Sequence, residues 1–169
     1  MSDATSINDM LKVGMGDFKV GKAPAQIITL GLGSCVGITM YDRVTKVGGM
    51  LHAMLPESSR IVDVSNKAKF VDTGIVELLT ALEQAGASLN RLEVKLVGGA
   101  AMFPNIIDTA SSVLQIGDNN VKASKAWLNK FGLRLSGEET GENFGRTIIL
   151  DCETGRLTIR AIGQEERYL

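Results

Sequence analysis

Short apolar runs that end at glycine, proline or polar turns dominate the chain and predict strands. Such runs are rich in β-branched residues, which favour extended backbone. Seven stretches fit this pattern: Ile27–Leu30, Val36–Tyr41, Lys46–Leu55, Leu92–Val97, Leu133–Leu135, Thr147–Leu150 and Arg156–Ile162. The preceding stretch, Ser6–Val20, is mixed and predicts a short edge strand or an irregular lead-in. The turn-forming residues Asp151–Gly155 predict that the last two runs form a hairpin.

Two other segments have apolar residues at helical spacing. In Lys67–Ala85, a stripe of residues three or four positions apart faces the core, and Gly86 ends the helix. The stripe consists of Val71, Ile75, Leu78, Leu79 and Leu82. A second helix is predicted from about Asn119, an acceptable N-cap, through Trp127 to Gly132. The pattern therefore predicts an α/β domain in which strands dominate and two main helices are present.

Composition narrows the kind of protein. The chain has 169 residues, 44% hydrophobic and 22% charged, which is typical of one globular domain and excludes a disordered chain. Its net charge of −1 gives no basic excess for nucleic-acid phosphates. No apolar run approaches the ~18 residues of a membrane span, and Met1–Ala4 lacks the features of a signal peptide. We therefore expect one cytoplasmic domain, residues 1–169, that binds no nucleic acid and does not insert into membranes.

Few side chains are available for reactive chemistry. Cys35 and Cys152 lie far apart in a chain without an export signal, so both are expected to be reduced thiols. His52 is the single histidine, and its spacing from the two cysteines matches no zinc motif. No cluster of Asp and Glu has the spacing of metal ligands. The sequence therefore predicts neither a metal site nor another cofactor.

A glycine-rich segment, Thr29–Gly37, follows the first clear strand. It does not fit a dinucleotide-binding loop, because Val36 stands where the third glycine is needed, and it has no lysine for a Walker loop. The residues after it are strand-like, so no helix N-terminus would face a phosphate. The segment therefore favours a nucleophile loop over a phosphate-binding loop.

Cys35 is the candidate nucleophile of this segment. Gly31 and Gly33 allow positive φ and a close approach to substrate, and backbone N–H groups at Gly33 and Ser34 could face a developing oxyanion. A thiol with its usual pKa of ~8.5 is mostly protonated at neutral pH and needs a base. His52 is the only imidazole available. The alternative is an inert buried cysteine and a histidine of the core.

The predicted hairpin supports the pairing of Cys35 with His52. If Val36–Tyr41 and Lys46–Leu51 pair about a turn at Asp42–Thr45, these two residues fall directly opposite each other. Partners in such a pair have Cβ atoms ~4.5–5.5 Å apart. A slip of one residue would place the two side chains on opposite faces.

A third side chain is usually needed to hold such an imidazole in one tautomer. Thr29, at the end of the strand before the glycines, is the candidate for this role. Asp42, Asp63 and Asp72 compete with it.

Two further segments have weaker patterns. Gly98–Phe103 follows a strand, so Gly99 and Phe103 are candidates for a substrate wall, with a tight turn as the alternative. Gly141–Arg146 is a predicted loop in which Phe144 and Arg146 either contact a partner or cap a strand.

Together these segments resemble the CheD family, the chemoreceptor glutamine deamidases of bacterial and archaeal chemotaxis. The resemblance rests on Thr29–Cys35, Gly49–Pro56 and Val97–Phe103, with support from Lys69–Thr73, Ile116–Gly117 with Asn120, and Thr140–Gly141 with Asn143, Gly145 and Arg146. It covers nearly the whole chain. Two departures concern the partner-binding surface: Asn119 stands where arginine is frequent, and Glu142–Phe144 where small residues are frequent.

The resemblance implies an α/β sandwich of the α+β type, with mixed or antiparallel sheets, related to cysteine hydrolases that deamidate glutamine. It implies that Cys35, His52 and Thr29 convert receptor glutamines to glutamates without a cofactor. Some members also hydrolyse receptor methyl esters. The implied partners are the cytoplasmic helices of methyl-accepting chemotaxis receptors and, in many members, the CheC phosphatase. Two other functions stay open: a non-catalytic adaptor, and a thiol amidohydrolase with another substrate.

Overall fold

The computed structural model describes residues 10–59, 64–102 and 115–169. These residues form ten strands and two α-helices. The strands are β1 (Met10–Val13), β2 (Asp17–Lys22), β3 (Gln26–Leu32), β4 (Val36–Asp42), β5 (Val47–Ala53), β6 (Leu92–Gly98), β7 (Leu135–Thr140), β8 (Arg146–Asp151), β9 (Leu157–Arg160) and β10 (Arg167–Tyr168). The helices are α1 (Val71–Gln84) and α2 (Ile116–Lys130).

The strands form two five-stranded sheets. The first sheet has the order β1-β3-β8-β9-β10, and the second has the order β2-β5-β4-β6-β7. Both sheets are mixed, because β1 runs parallel to β3 and β6 parallel to β7 while the other pairs are antiparallel. The sheets pack face to face, and α1 and α2 cover the other side of the second sheet. This arrangement confirms the expected α+β sandwich with two main helices.

The two central strands of the second sheet are buried along their whole length. Every residue of β4 and β5 is buried. Ile38 and Leu51 pack on the helix side, whereas Tyr41 and Met50 pack on the side of the first sheet. Strands covered on both faces are apolar without alternation, which explains why both were evident in the sequence. They carry His52 into the space between the sheets.

Both helices are present, but each begins at a different residue from the one predicted. The predicted stripe of α1 is buried at Val71, Ile75, Leu78 and Leu82. This helix begins at Val71 because Phe70 is extended, and Lys67–Lys69 forms a separate 3₁₀ turn. The helix α2 begins at Ile116, so Asn119 lies in its first turn and is not the N-cap. Of the helices in the described ranges, none is long and apolar enough to cross a membrane.

Two strand predictions need correction, and one short strand was not predicted. The stretch before residue 20 contributes two strands, β1 and β2, which belong to different sheets. The strand predicted at Leu133–Leu135 begins too early, because Leu133 donates its N–H to the Leu128 carbonyl and closes the end of α2. The strand there is β7, which begins at Leu135. The short β10 was not predicted, whereas the hairpin of β8 and β9 is confirmed.

Candidate active site

The hairpin of β4 and β5 places His52 beside the start of β4. Gly37 lies directly opposite His52, so the predicted register, with Cys35 in that place, is wrong by two residues. The turn causes the difference: Asp42 and Val47 form the last pair, and Lys46 adopts a φ of 55° inside the turn. A shift of two residues keeps side chains on the same face. Cys35 accordingly packs between the two sheets, on the side that His52 faces.

A threonine of the first sheet holds His52. Thr29 lies in β3, and its Oγ1 is 2.7 Å from His52 Nδ1. The same hydroxyl donates to the Val13 carbonyl of β1, also at 2.7 Å. A hydroxyl has a single proton to donate, so His52 Nδ1 must be the donor to Thr29. This chain of hydrogen bonds assigns neutral His52 to the tautomer with hydrogen on Nδ1.

The other ring nitrogen of His52 is left with its lone pair. His52 Nε2 is buried and has no hydrogen-bond partner among the described residues. Burial lowers the pKa of His52 to about 4, because an imidazolium is poorly solvated between the sheets. At neutral pH the ring is therefore uncharged and can accept a proton at Nε2.

The competing aspartates have other partners. Asp42 is bound through two hydrogen bonds by Arg91, and Asp72 accepts hydrogen bonds from the backbone and hydroxyl of Ser58. Asp63 lies outside the described residues. Among the aspartates that the structure describes, neither competitor takes the place of the threonine beside the imidazole.

The segment Gly33–Cys35, here called the nucleophile loop, joins β3 to β4 and is tied down through its carbonyl groups. The Gly33 carbonyl accepts from Ala100 N–H and the Cys35 carbonyl from Gly99 N–H, both at 2.9 Å. The Ser34 carbonyl accepts from Asn120 Nδ2, also at 2.9 Å. Every carbonyl of the nucleophile loop therefore has a fixed partner.

The two glycines of this region differ in conformation, and only Gly31 has the positive φ expected of both. Gly31 adopts a φ of 69°, where β3 bulges against β8, but the backbone of Gly33 has no positive φ. The Gly33 N–H donates to the Gly31 carbonyl at 3.0 Å, which removes it from the candidate oxyanion donors. The N–H groups of Ser34 and Cys35 donate to no other residue in the described part of the chain. These two remain as candidate donors.

The two cysteines have different surroundings. Cys35 is 9% exposed, and burial raises the pKa of its thiol while its own backbone N–H lowers it by a smaller amount. Cys152 is fully buried, with its Sγ 3.8 Å from the Gly21 carbonyl, and burial raises its pKa to about 11. Both thiols are protonated at neutral pH, and Cys35 is the one that retains contact with solvent. Within the described ranges, no group of three or more His, Cys, Asp and Glu side chains is placed to hold a metal ion.

The weaker candidates lie in different places. Gly99 adopts a φ of 66° directly after β6, and its N–H donates to the Cys35 carbonyl of the nucleophile loop. Phe144 is half-buried, with the Arg146 guanidinium 4.5 Å from its ring centroid. Arg146 is itself fully buried and is paired with Glu139 at 2.7 Å, so it fixes the loop that carries Phe144. Phe103 lies outside the described residues.

Asn120 is a residue of this region to which the sequence pattern assigned no role. It is fully buried on the face of α2 that also carries Gly117, Ser124 and Leu128. These residues have helical spacing, but three of the four are small or polar, so hydrophobic periodicity does not detect the face. A correct start for α2 would have placed Asn120 in this buried row.

The fold and the site together define a class of protein: an α+β sandwich that brings a threonine-held imidazole and a cysteine-bearing loop into the space between its sheets.

Residues 54–161 match the family model for CheD, described as CheD chemotactic sensory transduction. A protein of Pyrococcus abyssi is 55% identical over 152 residues, which cover 90% of this chain and 91% of that protein. A protein of Caldanaerobacter subterraneus subsp. tengcongensis is 48% identical over 160 residues, which cover 95% and 98%. Both carry the name "Probable chemoreceptor glutamine deamidase CheD". The chain belongs to the CheD family, which confirms the resemblance.

These comparisons overlap the candidate site to different extents. The family-model match begins at residue 54 and so follows Thr29, Cys35 and His52. A span of 152 residues in a chain of 169 includes residues 18–152 wherever it begins. The similarity to the Pyrococcus protein therefore extends over all three residues.

Proposed function

We propose that this protein is a chemoreceptor glutamine deamidase, which acts in the cytoplasm on glutamine side chains in the helices of methyl-accepting receptors. Cys35 is the nucleophile, His52 the general base and acid, and Thr29 the residue that orients the imidazole. The observation that carries the proposal is the hydrogen-bond chain from Val13 through Thr29 to His52, which leaves Nε2 as a free base. The names of the relatives supply the substrate class.

The first half of the reaction forms a thioester. His52 Nε2 takes the proton from Cys35 Sγ as the sulfur attacks the carboxamide carbon of glutamine. The negative charge that develops on the amide oxygen is stabilised by the N–H groups of Ser34 and Cys35. When the tetrahedral intermediate collapses, the C–N bond breaks and His52 gives its proton to the departing ammonia.

The second half of the reaction releases glutamate. His52 takes a proton from water, and the hydroxide attacks the thioester carbon. Collapse of the second tetrahedral intermediate breaks the C–S bond, and His52 returns the proton to Cys35. One amide and one water thus give one carboxylic acid and one ammonia. A methyl ester of a receptor glutamate would follow the same path with methanol as the leaving group.

The resting state of the pair supports proton transfer during attack. Burial raises the pKa of Cys35 and lowers that of His52 to about 4, so neither residue is charged at pH 7. A buried ion pair would need further hydrogen bonds to offset its desolvation, and none reaches Nε2 from the described residues. The charged pair therefore forms only while substrate is being attacked.

The test is deamidation of a purified receptor cytoplasmic fragment, followed by peptide mass spectrometry. We expect conversion of amide to acid at particular glutamines and no ammonia release from free glutamine. Comparable activity on free glutamine would instead support a thiol amidohydrolase with a small substrate. An adaptor would bind the fragment without converting it, and its Cys35→Ser variant would keep the cellular phenotype. Co-purification tests the CheC phosphatase as a second partner.

A further inference from the structure

A buried amide links α2 to the nucleophile loop. Asn120 Nδ2 donates to the Ser34 carbonyl at 2.9 Å and to the Met54 carbonyl at 3.0 Å. Asn120 is completely buried. Because both of these partners are acceptors, the side-chain nitrogen must face them, and the orientation of the amide group is settled. The same group thus connects the nucleophile loop to the residue that follows β5, two positions after His52.

The helix that carries Asn120 is held closely against Gly99 and Ala100, which directly follow β6. A Cβ added to Gly117, one turn before Asn120, would lie 2.5 Å from the Ala100 carbonyl oxygen. A Cβ added to Gly99 would lie 2.3 Å from Val121 Cγ2. This close packing holds α2 against Gly99 and Ala100, whose N–H groups donate to carbonyls of the nucleophile loop. Asn120 therefore extends from a helix that is packed against the same segment as the loop.

The position of the Ser34 carbonyl fixes the direction of the next N–H. The peptide between Ser34 and Cys35 is trans and planar, so its C=O and N–H groups point in opposite directions. Asn120 pulls the carbonyl toward α2 and thereby turns the Cys35 N–H away from it. The other two carbonyls of the nucleophile loop accept hydrogen bonds from backbone N–H groups. Asn120 is therefore the one side chain among the three donors that hold these carbonyls.

We propose that Asn120 is a positioning residue, which aims the Cys35 N–H at the oxygen of the substrate amide. The inference rests on the proposed function. The Cys35 N–H belongs to the residue that carries the attacking sulfur, so an acyl carbon bonded to that sulfur would carry its oxygen into reach of this donor. Without the tie from Asn120, the peptide is free to rotate, and a rotated peptide would present the Ser34 carbonyl to the oxyanion in place of a donor.

The experiment compares Asn120→Ala and Asn120→Asp with wild type in two reactions. The first reaction is deamidation of the receptor fragment, which develops an oxyanion. The second is alkylation of Cys35 by iodoacetamide, which attacks a saturated carbon and develops none. Loss of one oxyanion donor typically lowers kcat by ~10²–10³, and we expect a decrease of this order with little change in KM and an alkylation rate close to wild type. The aspartate variant keeps the side-chain size and is expected to be impaired as well, because a carboxylate cannot donate to two carbonyls.

Ser124→Ala is the matched control for these variants. Ser124 is equally buried in α2 and donates to the Asn120 carbonyl at 2.6 Å, and it has no hydrogen bond with the nucleophile loop in the described part of the chain. Its kcat should stay near that of wild type. A parallel loss of deamidation and alkylation in the Asn120 variants would show a general structural role and overturn the proposal, as would an unchanged kcat. If wild type deamidates and only this prediction fails, the proposed function stands; if wild type is inactive on the fragment, both fail.

Discussion

Replacing Thr29 with valine tests the orientation of the imidazole. The change removes one hydroxyl and breaks two hydrogen bonds of 2.7 Å, one to His52 Nδ1 and one to the Val13 carbonyl. Both groups then lie in the interior without these partners. The imidazole loses its preference for hydrogen on Nδ1, and the opposite tautomer cannot accept a proton at Nε2.

The expected size of the effect follows from the cost of an unpaired buried group. Each such group costs ~1–3 kcal/mol, and in a chain of this length each kcal/mol lowers Tm by roughly 2–4 °C. If the bond from Nδ1 stabilises the imidazolium that forms in the transition state by the same amount, kcat should fall ~5- to 150-fold. The loss should be smaller than that of Cys35→Ala or His52→Ala, because a fraction of the rings still has a free Nε2.

The assay is steady-state deamidation of the receptor fragment, with thermal unfolding measured on the same samples. Thr29→Ser keeps a hydroxyl and should recover most of the activity. Thr39→Val is the matched control, since Thr39 is equally buried and makes no hydrogen bond to His52. Wild-type kcat in Thr29→Val would refute the orienting role. A loss as complete as in Cys35→Ala would show that Thr29 is needed for the structure itself.

Two further predictions concern pH and the support of α2. As the pH is lowered, kcat/KM should stay constant down to the pKa of His52, about 4, and decrease at lower pH. A decrease of kcat/KM centred near the ordinary histidine pKa of ~6.5 would contradict a buried neutral imidazole. The unfolded chain binds a proton on His52 more tightly than the folded chain does. The free energy of unfolding should therefore rise with pH between about 4 and ~6.5, the folded and ordinary pKa values of His52, and chemical denaturation measures this rise. Gly99→Ala should lower Tm more than Gly132→Ala does. Both glycines have positive φ, but only the new Cβ at Gly99 would meet other atoms, because it would lie 2.3 Å from Val121 Cγ2. Equal losses of Tm would contradict the close packing of α2.

The parts of the fold that the sequence predicted are those with a single clear pattern. The stripe of α1 faces one layer, and β4 and β5 are apolar throughout because they lie between two layers. The start of α2 was missed because its buried face carries Gly117, Asn120 and Ser124. The division of Ser6–Val20 into β1 and β2 was not predicted, because their residues are mostly half-exposed at sheet edges and lack a periodic pattern.

The sequence predicted which residues form the candidate site better than it predicted how they are arranged. The spacing of Cys35 and His52 about a turn gave the correct face, but the turn Arg43–Lys46 moved the register by two residues. The hydrogen bond between Thr29 and His52 joins two different sheets, and strand patterns alone do not specify how sheets stack. For the same reason the contact of Asn120 with the nucleophile loop could not be predicted, since it depends on where α2 packs.

The most direct test of the central claim compares the two cysteines in one assay. Cys35→Ala and Cys152→Ala each remove one thiol, and the deamidation rate of the receptor fragment is measured beside that of wild type by mass spectrometry. We predict that Cys35→Ala forms no glutamate while it still binds the fragment. Cys152→Ala should retain activity, because Cys152 is a core residue between the sheets. Deamidation by Cys35→Ala at the wild-type rate would contradict the thioester mechanism and the assignment of Cys35 as nucleophile.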